Sequence, residues 1–157
     1  ANTQSMCTSF MGELMTATHN FGTAPTRGTS AADTFKAALY LATATVDAST
    51  TAFSATDEVS GSGYTSGGIA VTNATPPTAT NASATAGVAF FTPSASLVYT
   101  SVTLTTAFDA VLIYNSTQSN KAVSVHTFGS QTITAGTFTL TMPTNNTTDA
   151  LLRLATT

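Results

Sequence analysis

The sequence predicts a mainly β protein: an antiparallel β-sandwich of the jelly-roll or immunoglobulin-like type, or a barrel, with a short N-terminal helix. Three observations support this fold class. From Thr34 onward, apolar residues recur with the two-residue period of β-strands. These segments follow one another at intervals of roughly 8–12 residues, with turn-forming residues between them. About a third of the 157 residues are Ser or Thr, and the β-branched Thr side chain favours strands.

The N-terminal segment has a helical period instead. Met6, Phe10 and Leu14 recur every four residues, which places them on one face of a helix over about Ser5–Thr18. A glycine and a proline that follow within a few residues indicate the end of this helix. We therefore divide the chain into an N-terminal helix or arm over residues 1–30 and a single β-sandwich domain over residues 31–157.

The first strand is predicted at Phe35–Leu41, where alternate residues are apolar and Lys36 faces the other way. This pattern is typical of a half-buried strand. Residues 42–67 are mostly small and run into a glycine-rich stretch, which predicts a loop, and Ile69–Thr72 then has the character of a strand. Residues 73–87 contain no large apolar side chain and predict an exposed loop.

The second half of the chain alternates between apolar segments and turn residues. Phe108–Asn115 is apolar on both faces, which indicates a central strand. Gly129 and the Ala135-Gly136 pair interrupt the pattern further along the chain. The predicted strands are Val88–Thr92, Ser96–Thr105, Phe108–Asn115, Lys121–Phe128, Gln131–Thr134, Thr137–Met142 and Leu151–Leu154.

Charged residues are scarce. Only 7% of the residues are Asp, Glu, Lys or Arg, and the net charge is −3, whereas about 25% of a typical domain is charged. The four cations are scattered along the chain (Arg27, Lys36, Lys121 and Arg153). Binding of nucleic acid requires clustered cations, so this composition argues against it. The same dispersion argues against a basic helix on a membrane surface, and no apolar run approaches the ~18 residues of a membrane span.

The N-terminal residues and the single cysteine bear on the compartment of the chain, and the cysteine indicates a reducing environment. Residues 1–20 lack the basic segment and continuous apolar block of a signal peptide. We expect an initiator methionine to be removed before Ala1. Cys7 has no partner for an intramolecular disulfide, and we expect it to be a buried, unreactive thiol.

The sequence contains no local signature of a catalytic or metal site. His19 and His126 have no neighbouring ligands at metal-binding spacing, and no G-x-S-x-G turn is present. His126 lies in an alternating strand, and we expect it to face solvent or an interface. The Asp57-Glu58 pair is expected to form a solvated turn rather than the carboxyl pair of a glycosidase. We therefore expect no cofactor, no metal ion and no enzymatic activity.

Two further polar features have structural interpretations. Asp109 lies in an apolar strand, so an inward side chain needs a partner, which we expect to be a backbone amide or Arg153. The run Gly61–Gly68 lacks the lysine and the G-K-[ST] ending of a phosphate-binding loop. We interpret it as a loop whose glycines adopt positive φ, with Tyr64 anchoring it by packing.

Several segments resemble those of small structural proteins of tailed bacteriophages. The similarity covers residues 33–142, and its most specific part is Gly63-Tyr64-Thr65-Ser66-Gly67-Gly68. The resemblance implies a virion component that is made in the host cytoplasm and has no catalytic residue to assign. The other segments that carry it are Phe35–Tyr40, Thr51-Ala52-Phe53, Asp57–Ser62, Phe108–Tyr114 and Phe128-Gly129.

The resemblance and the neutral composition together suggest a capsid cement or decoration protein that binds the major capsid protein. A surface of uncharged hydroxyls docks without desolvating ions, and we expect a homo-oligomer or symmetric lattice with no nucleic acid or membrane partner. The alternative is a tail, neck or fibre-associated protein that binds host carbohydrate, although the chain has no Trp to stack on a sugar. The candidate partner contacts are Met6, Phe10, Leu14, Phe21, Phe53 and Tyr64.

Overall fold

The computed structural model describes residues 1–15, 17–22, 32–79 and 87–155. Within these ranges the chain is mainly β, as the sequence predicts, and its strands form a five-stranded and a three-stranded antiparallel sheet. Neither sheet closes into a barrel in the described residues. The elements are β1 (Ser5–Met6), α1 (Thr8–Met15), β2 (Phe35–Leu41), β3 (Ile69–Ala70), β4 (Thr78–Ala79), β5 (Val88–Phe91), β6 (Leu97–Asn115), β7 (Lys121–Leu140) and β8 (Leu152–Ala155).

Buried aromatic side chains join the two sheets. The strand order is β1-β7-β6-β2-β3 in the larger sheet and β4-β5-β8 in the smaller one. The ring of Phe21 stacks on Phe35 of β2 with 4.3 Å between centroids and lies 5.1 Å from the ring of Phe91 in β5. All three rings are buried, so this stack makes one continuous core from the two layers.

The helix is shorter than the sequence predicts. It covers Thr8–Met15 rather than Ser5–Thr18, because the two residues before Cys7 pair with β7 as β1. Phe10 is 2% exposed, so the described part of the predicted N-terminal arm contributes to the core. Residues 23–31 lie outside the described residues, and a domain boundary near residue 30 stays a prediction.

The long hairpin of β6 and β7 replaces several separate strands that the sequence predicts. The two strands have 19 and 20 residues, which corresponds to about 60 Å. The predicted breaks are β-bulges instead, in which extra residues are absorbed without ending the ladder. Phe128–Ser130 lies opposite the single residue Asp109, and Ala135 adopts a φ of 48°. Pairing then continues as far as Leu97 and Leu140.

β2 has the predicted bounds but is buried on both faces rather than on one. It lies between β6 and β3 in the sheet, and Ala38 and Tyr40 on the face predicted to be open are 0% and 2% exposed. The loop after β2 folds against this strand: the Tyr40 hydroxyl, on this face, donates to the Ser54 carbonyl, and the Val59 N–H pairs with the Leu39 carbonyl along the strand edge. The expectation of a half-buried strand is therefore wrong, because a loop without regular structure supplies the second layer.

The connection between β3 and β5 is largely exposed where it is described. β3 is shorter than the predicted strand Ile69–Thr72, although the Val71 N–H still donates to the Phe35 carbonyl. Residues 74–79 are exposed, in agreement with the predicted loop, and include the two residues of β4. The rest of that predicted loop, residues 80–86, lies outside the described residues.

Candidate binding surfaces and polar clusters

An apolar cavity of about 120 Å³ lies between α1 and the smaller sheet. Every side chain that lines it is apolar. Four of the six predicted partner contacts meet there, which are Met6, Phe10, Leu14 and Phe21. The three residues that the sequence placed on one helix face thus share a site, although Met6 lies in β1 rather than in α1. The cavity is completed by Pro77, Ala89, Phe90, Phe91, Leu152 and Leu154.

The cavity residues differ in accessibility. Phe10 and Phe21 are 2% and 9% exposed, so they are core residues with one side towards the cavity. Met6 and Leu14 are half-buried and pack against that core. Leu154 is 47% exposed and Pro77 is exposed as well, so these two side chains lie at the accessible rim of the cavity.

The other two predicted contacts, Phe53 and Tyr64, lie elsewhere and have internal partners. Phe53 stacks on Tyr114 with 4.8 Å between ring centroids. Tyr64 is half-buried, and its hydroxyl accepts a hydrogen bond from the Leu39 N–H at 3.0 Å. The structure therefore does not bring the six candidate contacts together on one surface.

A buried carboxylate holds the glycine-rich loop closed. Glu58 is 8% exposed, and it accepts hydrogen bonds from the Tyr64 hydroxyl at 2.7 Å, the Ser66 hydroxyl at 2.6 Å and the Gly67 N–H at 2.7 Å. Burial, and then the hydrogen bond to Glu58, raise the pKa of Tyr64, which keeps this hydroxyl a donor. We call these four residues the Glu58 clasp.

The Glu58 clasp corrects one prediction and refines another. The expected solvated turn is wrong for Glu58, although Asp57 is exposed, with a φ of 60°. The two carboxylates therefore lie in different surroundings. Tyr64 anchors the loop as predicted, but through hydrogen bonds as well as packing. The tyrosine, serine and glycine of the glycine-rich loop thus have a structural role.

A second polar cluster joins the helix to the hairpin turn. Oδ1 of the fully buried Asn115 accepts hydrogen bonds from the N–H groups of Thr117 and Gln118, each at 3.1 Å. This orientation directs the Asn115 Nδ2 to Nδ1 of His19 at 3.1 Å. Because an amide nitrogen only donates, the His19 Nδ1 accepts and its Nε2 carries a hydrogen. That Nε2 donates to Oε2 of Glu13 at 2.6 Å.

Glu13 is the acidic centre of this cluster. Its Oε1 also accepts a hydrogen bond from Nζ of Lys121 at 2.7 Å. Burial acts to raise the pKa of Glu13, but the hydrogen bonds from Lys121 and His19 outweigh it, and the pKa is lowered. Sequence reasoning missed this cluster, since no periodic pattern relates its members. The cluster ties α1 to the hairpin and has the character of a structural joint.

Ser124 and His126 form the arrangement closest to a catalytic one. Oγ of Ser124 lies 2.9 Å from Nε2 of His126, as in a nucleophile–base pair. Among the described residues, no carboxylate is hydrogen-bonded to this ring, so the orienting group of a triad is missing. Burial also lowers the pKa of His126 to about 4. The ring is half-buried and lines two cavities with Leu151, and the expectation that it faces solvent or an interface stays a prediction.

Asp109 has a partner other than the two that the sequence suggests. Its Oδ1 accepts a hydrogen bond from Nδ2 of Asn2 at 2.6 Å, rather than from Arg153 or a backbone amide. The same Asn2 side chain donates to the Leu41 carbonyl at 3.2 Å and accepts from the Val46 N–H at 3.1 Å. Asn2 therefore ties the first residues of the chain to the loop after β2.

The remaining observations concern reactive and ligand-binding groups. Cys7 is fully buried, as predicted, and burial raises its pKa to about 11. The described residues contain no group of three or more His, Cys, Asp or Glu side chains that could hold a metal ion. No helix within the described ranges is long and apolar enough to cross a membrane.

No family model matches the chain, and no curated protein or solved structure matches it either.

Proposed function

We propose that this protein is a non-enzymatic structural component of a tailed-bacteriophage virion that decorates the capsid by binding the major capsid protein. The observation that carries the proposal is the distribution of charge. Every side-chain carboxylate except that of Asp57 accepts a hydrogen bond from within the chain. No Asp, Glu, Lys or Arg occurs between Lys121 and Asp149. The acidic groups are thus used to hold the fold, and a large part of the surface is neutral.

A neutral surface of this kind suits association between proteins. The exposed residues of β6 and β7 beyond the β2 pairing are mainly threonines, whose hydroxyls are solvated without charge. Docking such a surface removes no ion from water, so its desolvation cost is small. On a shell, many copies repeat the same contact, and symmetry turns a modest contact into a stable lattice. The bacteriophage-like sequence segments favour this setting over other protein assemblies.

The proposal is tested by adding the purified protein to capsids that lack it. We expect saturable binding at hundreds of copies per particle and a density on the outer shell in a cryo-EM map. Leu154→Asp places a charge at the rim of the apolar cavity and should weaken binding if that rim is a contact. Asn145→Asp is the matched control, because it adds the same charge at an exposed position away from the cavity.

Three outcomes would contradict the proposal. A copy number of a few to tens per particle would indicate a neck or tail position. Saturable binding on a glycan array would favour the carbohydrate-binding alternative. Turnover of a substrate that is lost in a Ser124→Ala variant would indicate an enzyme. Equal binding of the two aspartate variants would leave decoration intact but remove the cavity rim from the contact surface.

A further inference from the structure

The outer edge of β7 has no strand partner over most of its length in the described residues. β1 pairs only with Val125 and Ser124, at the start of this edge. The other edge of β7 is paired with β6 as far as Leu140. The free edge of β6 is partly covered, since Ser62 forms a bridge with Thr103. Between residues 127 and 140, the outer side of β7 therefore has no strand partner among the described residues, although the Gly129 carbonyl accepts from the Gln131 side chain and the Ala135 N–H donates to Thr103. The other backbone groups on this side can pair with another strand.

This edge also lacks the side chains that usually prevent pairing between molecules. Natural proteins protect edge strands with charges, prolines or bulges. No charged residue and no proline occurs from Ala122 to Met142. The bulges at Phe128–Ser130 and at Ala135 interrupt the first part of the edge. The run of β7 that remains without an inserted residue is Gly136–Leu140; the register shift opposite Thr137 places its extra residue in β6, where Ser101 has a φ of 53°.

We propose that Gly136–Leu140 pairs with the same segment of a second copy, antiparallel and related by a two-fold axis at Phe138. The segment is nearly palindromic about this residue, with Thr137 on one side and Thr139 on the other. In a two-fold contact each residue faces its symmetry-related position, so Thr137 of one copy faces Thr139 of the other. Cross-strand threonine pairs stabilise antiparallel sheets.

The absence of charge in Gly136–Leu140 favours a second copy of this chain as the molecule that pairs with this edge. In an interface between identical edges, a charged residue close to the two-fold axis lies near the same residue of the second copy. Like charges opposite each other destabilise a sheet. This run has none. Thr137 and Thr139 are exposed, and Phe138 is 8% exposed on the opposite face. Pairing would therefore extend the larger sheet into the second molecule without moving a core residue. This dimer does not depend on the capsid-binding function proposed above.

The test is the association of the isolated protein, measured by analytical ultracentrifugation over a wide range of concentration. We expect the wild type to dimerise and T137K/T139K to weaken the dimer by at least about tenfold, because each lysine would face another lysine. T137K/T139E should restore dimerisation, since the introduced lysine of one copy then faces the introduced glutamate of the other. A parallel in-register pairing would instead place like charges together in that variant.

Two controls keep the result interpretable. T105K/T106K adds the same charge at exposed positions of β6, away from the β7 edge, and should dimerise as the wild type does. Circular dichroism and thermal unfolding establish that each variant is folded. A wild type that is monomeric at all concentrations would overturn the proposal. So would equal association of T137K/T139K and T137K/T139E, because the threonines would then not face each other.

Discussion

Gly68→Ala is the substitution that most directly tests how the glycine-rich loop is held against the sheet. Gly68 has a φ of +72°, a conformation that disfavours residues with a side chain. A Cβ at this position would overlap the Ala37 carbonyl oxygen and lie 2.8 Å from the Cα of Ala38. That carbonyl also accepts a hydrogen bond from the Tyr99 hydroxyl at 2.9 Å. The loop therefore cannot accommodate the methyl group without moving away from β2.

The size of the effect follows from two contributions. The left-handed conformation costs an alanine about 1–2 kcal/mol, and forcing a methyl group into a packed contact costs about 1–3 kcal/mol. We therefore expect a loss of about 2–5 kcal/mol, a large share of a typical stability of about 5–15 kcal/mol. Urea unfolding followed by circular dichroism measures this free energy, and the melting temperature should fall by roughly 5–15 °C.

Gly129→Ala is the matched control, because the same methyl group at that position meets nothing within 4 Å. We expect its free energy of unfolding to stay within about 0.5 kcal/mol of the wild type. A Gly68→Ala variant as stable as Gly129→Ala would refute the close contact between the loop and β2. An equal loss in both variants would show that the effect of Gly68→Ala is not specific to that contact.

Three other predictions concern pH, thiol reactivity and salt. Burial lowers the pKa of His126 to about 4, so the unfolded chain binds this proton at a higher pH than the folded one. Stability should therefore decrease as the pH falls from about 6.5 to 4, by about 3 kcal/mol, and urea unfolding of His126→Gln should show a smaller decrease. Cys7, with a pKa raised to about 11, should react with a thiol reagent at neutral pH only as the protein unfolds, whereas reaction of the native state would contradict its burial. Wild-type dimerisation and capsid binding should change little with NaCl concentration, since neutral contacts leave little Coulomb attraction to screen, and strong release at high salt would refute a neutral interface.

Local signals in the sequence predicted the elements that depend on local chemistry. The bounds of β2 follow from the alternation in Phe35–Leu41, and the glycine-rich run forms a loop in which Gly63 and Gly68 adopt positive φ. The continuity of β6 and β7 could not be predicted in this way. A glycine that ends a strand and a glycine within a bulge look alike in sequence, because the difference lies in whether the partner strand continues opposite to it.

The candidate sites also include features that the sequence predicts and features that it does not. The helical period grouped Met6, Phe10 and Leu14, and all three line the apolar cavity, although Met6 lies in β1 rather than in α1. The burial of Glu58 could not be predicted, since the surroundings of a carboxylate in a loop depend on how the loop folds back on the sheet. The contact between Glu13 and His19 requires the chain to reverse after α1, and no sequence pattern reports that reversal.

The part of the β6–β7 hairpin beyond its pairing with β2, residues 97–107 and 131–140, carries no charge. It is suited to association because aromatic packing makes it rigid. Three rings surround Phe138, with centroids 5.0 Å away for Phe108, 5.3 Å for Phe128 and 6.1 Å for Tyr99. These contacts hold β6 and β7 together at and beyond the end of the β2–β6 pairing, which is the pair Leu41 and Phe108. A strand edge that is already ordered loses little conformational entropy when it binds, so fewer favourable contacts are needed for a given affinity. The aromatic cluster on one side of the sheet thus acts together with the neutral edge, which binds without desolvating an ion.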